Sequence, residues 1–105
     1  MNLDFLELGN TNYDKIVVFV HGWRGNKDSF KAISSIMRIP KVKWLFPQAP
    51  YKVSKKNEEY SWAFENSDGT FEVEKTIDLF GEFLKESKTE SGNSSRGIFK
   101  SVILI

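Results

Sequence analysis

Apolar positions along the chain fall into short blocks whose spacing changes from one block to the next. Leu3 to Leu8, "LDFLEL", alternates loosely between apolar and acidic residues, which predicts a half-exposed strand. "GNTNYDK" is turn chemistry. Lys15 to Val20, "KIVVFV", is a continuous β-branched and aromatic run, the pattern of a strand buried on both faces in a parallel sheet. Phe30, Ile33, Ile36 and Met37 then recur at three and four residues and predict a helix with one apolar face. Asn26 or Asp28 is placed to cap it, and Pro40 to end it.

Val42 to Phe46, "VKWLF", predicts a second buried strand, stopped by Pro47, and residues 47 to 61 read as a long surface loop. The longest helical pattern is "TFEVEKTIDLFGEFLKES". Here Thr70 is the expected cap, and Val73, Ile77, Phe80 and Leu84 form the expected apolar face. Acidic residues near its start and Lys85 near its end suit the helix dipole. "KTESGNSSRG" is a polar connection, and "IFKSVILI" predicts a last buried strand. Strand, helix, strand, helix, strand in this order predicts an α/β fold, with parallel pairing and right-handed crossovers.

Composition narrows the possibilities. A chain of 105 residues suits one domain, and 9 Phe, 3 Trp and 3 Tyr suffice for a core. Fifteen basic against 14 acidic residues give a net charge of +1, which offers no reason to expect nucleic acid or an anionic membrane as a partner. The absence of cysteine excludes disulfides, thiolate nucleophiles and Cys-ligated zinc, and a single histidine excludes a multi-histidine metal site within one chain. No cofactor is expected. The first ten residues lack the basic and apolar regions of a signal peptide, and no apolar run nears the roughly 20 residues of a membrane span. A cytoplasmic protein is expected.

Candidate chemistry gathers at "FVHGWRGNKDSF", residues 19 to 30. A strand that runs into a Gly-rich turn and then a helix puts backbone N–H groups at the carboxyl edge of a sheet, where open α/β sheets bind ligands. Gly22 and Gly25 allow tight turns, and the loop amides suit an anion. Neither G-x-x-x-x-G-K-[ST] nor G-x-G-x-x-G is present, so neither nucleotide fingerprint applies. For His21 to act as a base it would need a nucleophile within reach and usually an orienting acid.

"VVFVHGWRGN" resembles the loop after the third strand of α/β-hydrolases, whose His-Gly motif follows a central strand. "FPQAPY" (Phe46 to Tyr51) is similar to the P-x-A-P segment of the phospholipase/carboxylesterase family, which includes the acyl-protein thioesterases. "SWAFE" (Ser61 to Glu65) is similar to that family's Trp-Phe segment, and "RGIFKSVILI" to the segment leading into the strand before its nucleophile. The four segments keep their order from about residue 15 onward. The resemblance implies a truncated α/β-hydrolase: a mostly parallel sheet with flanking helices, in a single partial domain over residues 1–105 that ends on the strand before the nucleophile elbow.

The resemblance also implies roles. The backbone N–H of Trp23 would be one oxyanion-hole donor. His21, Gly22 and Gly25 would support the loop, and Arg24, Trp62 and Phe64 are substrate-channel candidates. The alternatives are an exposed or half-packed aromatic at a loop tip for Trp23, a solvated charge for Arg24 and ordinary core packing for Trp62 and Phe64. No G-x-S-x-G occurs, nor the later triad Asp and His, so no catalytic residue is assigned. "SGNSSRG" is a decoy. Neither Ser94 nor Ser95 has glycine at both −2 and +2, and the stretch precedes a strand rather than following one.

The expected function is therefore the N-terminal portion of a serine carboxylesterase or phospholipase. Its full-length parent would act on a small acyl ester or thioester, and the chain alone would be inactive. The alternative is a non-catalytic module that self-associates or binds a partner through the edge of its C-terminal strand.

Overall fold

The computed structural model describes residues 2–9, 12–90 and 100–104, with side chains described as far as residue 87. Two strands carry the core: β2 (Lys15–Phe19) and β3 (Val42–Pro47). They lie side by side and parallel, with Val17 opposite Trp44 and Val18 opposite Leu45. Side chains alternate across a strand, so each strand feeds both faces of the sheet. Ile16, Val18 and Leu45 join Leu3 and Phe83 in one cluster, and Val17, Val42, Trp44 and Phe46 form a second. Every residue of β3 is buried, Lys43 included. Its ammonium sits 3.3 Å from the Glu7 carboxylate and 5.1 Å from the centre of the Tyr13 ring, so the charge is not buried alone.

β1 (Phe5–Gly9) pairs antiparallel with β3, and β8 (Lys100–Leu104) pairs parallel with β2, which gives the order β1-β3-β2-β8. Gly9 ends β1 at φ +112°, and a Cβ there would run into the Val42 carbonyl oxygen, so the close approach to β3 admits glycine alone.

The mostly parallel sheet with flanking helices expected of a truncated α/β-hydrolase is not the architecture found. The described strands form three separate sheets, and only two of the five strand pairings are parallel. The stretch read as a surface loop, 47 to 61, contains a two-stranded ribbon of β4 (Tyr51–Lys52) and β5 (Tyr60–Ser61). A second ribbon follows, β6 (Phe64–Glu65) with β7 (Phe71–Glu72). Strands of two residues leave no periodicity to read, because one alternation is their whole length.

The helices differ from expectation as well. Residues 26–32 run through tight turns, with N–H groups of Ser29, Lys31 and Ile33 donating to carbonyls three residues back. Only Ile33–Met37 forms an α-helix, α1. It stops at Arg38, which is left-handed at φ 50°, just ahead of the backbone that Pro40 forces into extended form. Asn26 caps the first turn rather than α1, its Oδ1 accepting from the Asp28 N–H at 2.8 Å. Ile33 packs on the second cluster, while Phe30, Ile36 and Met37 stay exposed, so the expected apolar face is only partly used.

α2 (Glu74–Glu90) is the one long helix among the described residues. It starts four residues later than Thr70, whose N–H and hydroxyl instead donate to Asp68 in the turn between β6 and β7. Its buried face is Thr76, Phe83 and Ser87, flanked by half-buried Leu79, Phe80 and Leu84. Val73 and Ile77, expected inside, are 44% and 63% exposed. The helix is rotated because Thr76 donates its hydroxyl to the Trp62 carbonyl and because Phe80 and Phe83 offer more apolar area to the sheet than Ile77 does. No helix of the described residues is long and apolar enough to cross a membrane. The polar connection of residues 88–97 falls largely outside the described residues.

This rotation separates two substitutions. Phe83→Ala is expected to destabilise the fold by about 3 kcal/mol or more, as truncation of a buried aromatic does. Ile77→Ala is expected to stay within about 0.5 kcal/mol. Urea denaturation midpoints of the two variants decide it, and equal losses would place Ile77 inside.

Candidate functional site

The polypeptide leaves β2 at Phe19 and turns inward, so that His21 is only 3% exposed. A buried imidazole must satisfy both ring nitrogens. Nδ1 lies 2.7 Å from the carbonyl oxygen of Gly22 and donates to it. Nε2 accepts from the N–H of Ala49 at 3.0 Å. These two bonds fix the neutral tautomer with the proton on Nδ1. Burial holds the imidazole below its ordinary pKa of 6.5, and the bond to the Gly22 carbonyl offsets part of that effect. With Nε2 occupied by a backbone donor, His21 has no nitrogen to offer as a base.

Trp62 packs behind the imidazole. Its ring lies 5.1 Å from that of His21 at 31°, and its Nε1–H donates to the His21 carbonyl at 2.8 Å. Phe80 of α2 meets the other side of the indole edge-on at 5.9 Å. His21 thus ties the end of β2 to the segment after β3 through Ala49, and through Trp62 to α2.

Gly22 and Gly25 differ in what they allow. A Cβ on Gly22 would meet nothing within 4 Å, so its contribution is the carbonyl that accepts from both His21 Nδ1 and the Gly25 N–H. A Cβ on Gly25 would sit 3.1 Å from His21 Nδ1 and from Ser29 Oγ, tighter than ordinary packing, so a side chain there must push the brace or the turn.

Between them the backbone turns a sharp corner. Arg24 is left-handed at φ 69°, a conformation that costs a side-chain-bearing residue about 1 kcal/mol. The corner is held from outside. The Arg24 N–H donates to the Tyr60 carbonyl, and the Tyr60 N–H to the Gly25 carbonyl, both at 2.9 Å. Arg24 Nε reaches the Glu59 carboxylate at 2.6 Å, and Asn26 Nδ2 the Glu58 carbonyl at 2.7 Å. Glu58, Glu59 and Tyr60, at the end of the exposed stretch that follows β4, therefore supply the clasp on this loop. Trp23 stands at the corner with its side chain 64% exposed and the Arg24 guanidinium 5.1 Å from its ring centre. Its N–H has no acceptor among the described residues.

Beside Trp23 a cleft of about 350 Å³ opens between the two ribbons. Tyr51, Lys52 and Val53 form one wall, Phe64, Glu65 and Phe71 the other. Of the channel candidates, Phe64 lines this cleft, Trp62 packs behind His21 instead, and Arg24 is turned to Glu59. Ala49, Glu59, Tyr51 and Phe71 complete the site, and no periodicity marks them: Ala49 acts through its backbone, and Phe71 sits where the helix pattern begins. Ser94 and Ser95 lie outside the described residues. Among the described residues no three His, Cys, Asp or Glu side chains gather as a metal site. No protein-family model, curated protein or solved structure matches the chain.

The buried neutral imidazole makes stability depend on pH. Above about pH 6.5 both folded and unfolded states keep His21 neutral. Below it the unfolded chain takes up a proton that the fold resists, so stability falls as pH drops from 6.5 toward the lowered folded value. The melting temperature is expected to decline between pH 7 and 5, and His21→Gln is expected to flatten that decline. Asp4, Asp14 and Asp68, each held below the ordinary carboxylate value, lose their contributions only at lower pH. An unchanged slope in the Gln variant would exclude His21 as the titrating group.

Proposed function

We propose that these 105 residues carry the oxyanion loop of a serine hydrolase, similar to the phospholipase/carboxylesterase family, that acts on small acyl esters or thioesters. The observation that carries this reading is the Trp23 N–H, which lacks an acceptor among the described residues at a corner held rigidly on both sides. A donor fixed before substrate arrives stabilises developing charge without reorganising, which is what an oxyanion hole requires. In the reaction, a serine oxygen adds to the acyl carbonyl and passes its proton to a histidine. The carbonyl oxygen becomes the oxyanion that the Trp23 N–H binds, and collapse expels the alcohol or thiol with that proton. Water then releases the acid by the same route. His21 takes no proton in this scheme and braces the loop. Nucleophile, acid and base are not among the 105 residues as a recognisable triad, so the chain by itself turns nothing over.

Purified 105-residue protein is expected to hydrolyse p-nitrophenyl butyrate no faster than buffer. Turnover abolished by Ser94→Ala or Ser95→Ala would overturn that expectation. The positive test is the coding sequence past Ile105. A G-x-S-x-G in any frame is expected there, and in a chain extended through it Trp23→Pro, which removes the N–H, should lower kcat about 10²- to 10³-fold at unchanged melting temperature. Absence of that motif, or an unaffected kcat, counts against the reading.

A second reading, a non-catalytic module that pairs through its sheet edge, draws on the position of β8, which has β2 on one side and no strand on the other among the described residues. Open edges recruit further strands. Sedimentation equilibrium separates the readings: a concentration-dependent dimer favours pairing, and a monomer at all concentrations removes it.

A further inference from the structure

We propose that the cleft beside Trp23 is a binding site for a small amphiphilic carboxylate. The inference uses the same Trp23 corner as the hydrolase reading but needs no nucleophile, and binding is measured on this chain alone.

Size comes first. A cleft of about 350 Å³ is at the low end for small-molecule sites. The lining sets the class. Trp23, Tyr51, Phe64 and Phe71 surround the cleft with aromatic surface, and Pro50, Val53 and Ala63 add aliphatic surface. Trp23, Val53, Phe64 and Phe71 are left 64%, 38%, 43% and 58% exposed, a concentration of apolar area that costs solvation unless something covers it. Tyr51 and Phe64 meet edge-on at 5.2 Å, so the two walls already touch each other before a ligand arrives.

Polar groups share the lining with this apolar surface. The Ser61 hydroxyl donates to the Ala63 carbonyl at 2.9 Å and accepts from the Ala63 N–H at 3.0 Å, so its proton is committed. The uncommitted donors on the lining are the Trp23 backbone and indole N–H groups, the Tyr51 hydroxyl and the Lys52 ammonium, which has no ion-pair partner among the described residues. All can donate to an anion, and the ammonium adds a charge. Glu65 is the one acidic residue lining the cleft and belongs to the opposite wall, so it directs a carboxylate toward the Lys52 wall.

An organic cation held by the aromatic rings is the competing class. It is disfavoured because the Arg24 guanidinium already stands over the Trp23 ring at 5.1 Å and would repel a second cation.

Calorimetric titration with decanoate, decanol and decyltrimethylammonium, all below their micelle concentrations, tests this. Decanoate is expected to bind saturably, one per chain, at least threefold tighter than either of the others. Lys52→Gln is expected to weaken decanoate about three- to fivefold, the scale of an exposed ion pair, and to leave decanol unchanged. Phe64→Ala should weaken both. Decanol binding as tightly as decanoate, tighter binding of the ammonium, no saturable binding at millimolar ligand, or an unaffected Lys52→Gln would each overturn the proposal. Failure of the extended chain to hydrolyse esters leaves these outcomes untouched, and loss of decanoate binding leaves the oxyanion test untouched.

Discussion

A neutral imidazole with both nitrogens committed holds the end of β2, the segment after β3 and α2 together. His21 stands where β2 ends, and its two hydrogen bonds reach backbone groups one and 28 residues away. A buried donor or acceptor left unpaired costs about 1–3 kcal/mol, so the Gly22 carbonyl and the Ala49 N–H cannot drift without penalty. Trp62 extends the constraint to α2 by stacking on the ring and bonding to the His21 carbonyl. Three segments far apart in the chain are thereby set around one five-membered ring.

The rigidity of that brace decides what the adjoining corner can offer. Arg24 holds a left-handed backbone that a side chain normally avoids, and it does so because Tyr60 and Glu59 grip it from the second segment. The outcome is an amide at Trp23 that no acceptor among the described residues takes, next to a cleft of aromatic surface. An exposed ion pair such as Arg24–Glu59 contributes little to stability on its own. Its contribution here is geometric, because it fixes one backbone conformation among several.

Residue pattern made part of this legible. The runs at 15–20 and 42–46 are unbroken apolar stretches, and both are central strands buried on two faces. The His-Gly-Trp-Arg-Gly stretch also stood out, since a lone histidine between an apolar run and two glycines has few neutral explanations. The two ribbons, the rotation of α2 and the shortness of α1 were not legible. Two-residue strands carry no period, and the face a helix buries depends on what lies opposite. Ile77 belongs to the expected stripe and Phe83 does not, and the Thr76 bond to the Trp62 carbonyl with the ring contacts of Phe80 and Phe83 turns the helix so that Phe83 is the one buried.

By itself the sequence determined where the central strands lie and that no cysteine chemistry operates. Those are local matters of apolar run and residue type. Tertiary structure alone decided the antiparallel pairing of β1, the division into three sheets, the partner of each His21 nitrogen and the meeting of Trp23 with Phe64 and Phe71. These depend on contacts between residues tens of positions apart. Such contacts are selected by the burial and hydrogen bonding of the whole chain, which no local pattern encodes.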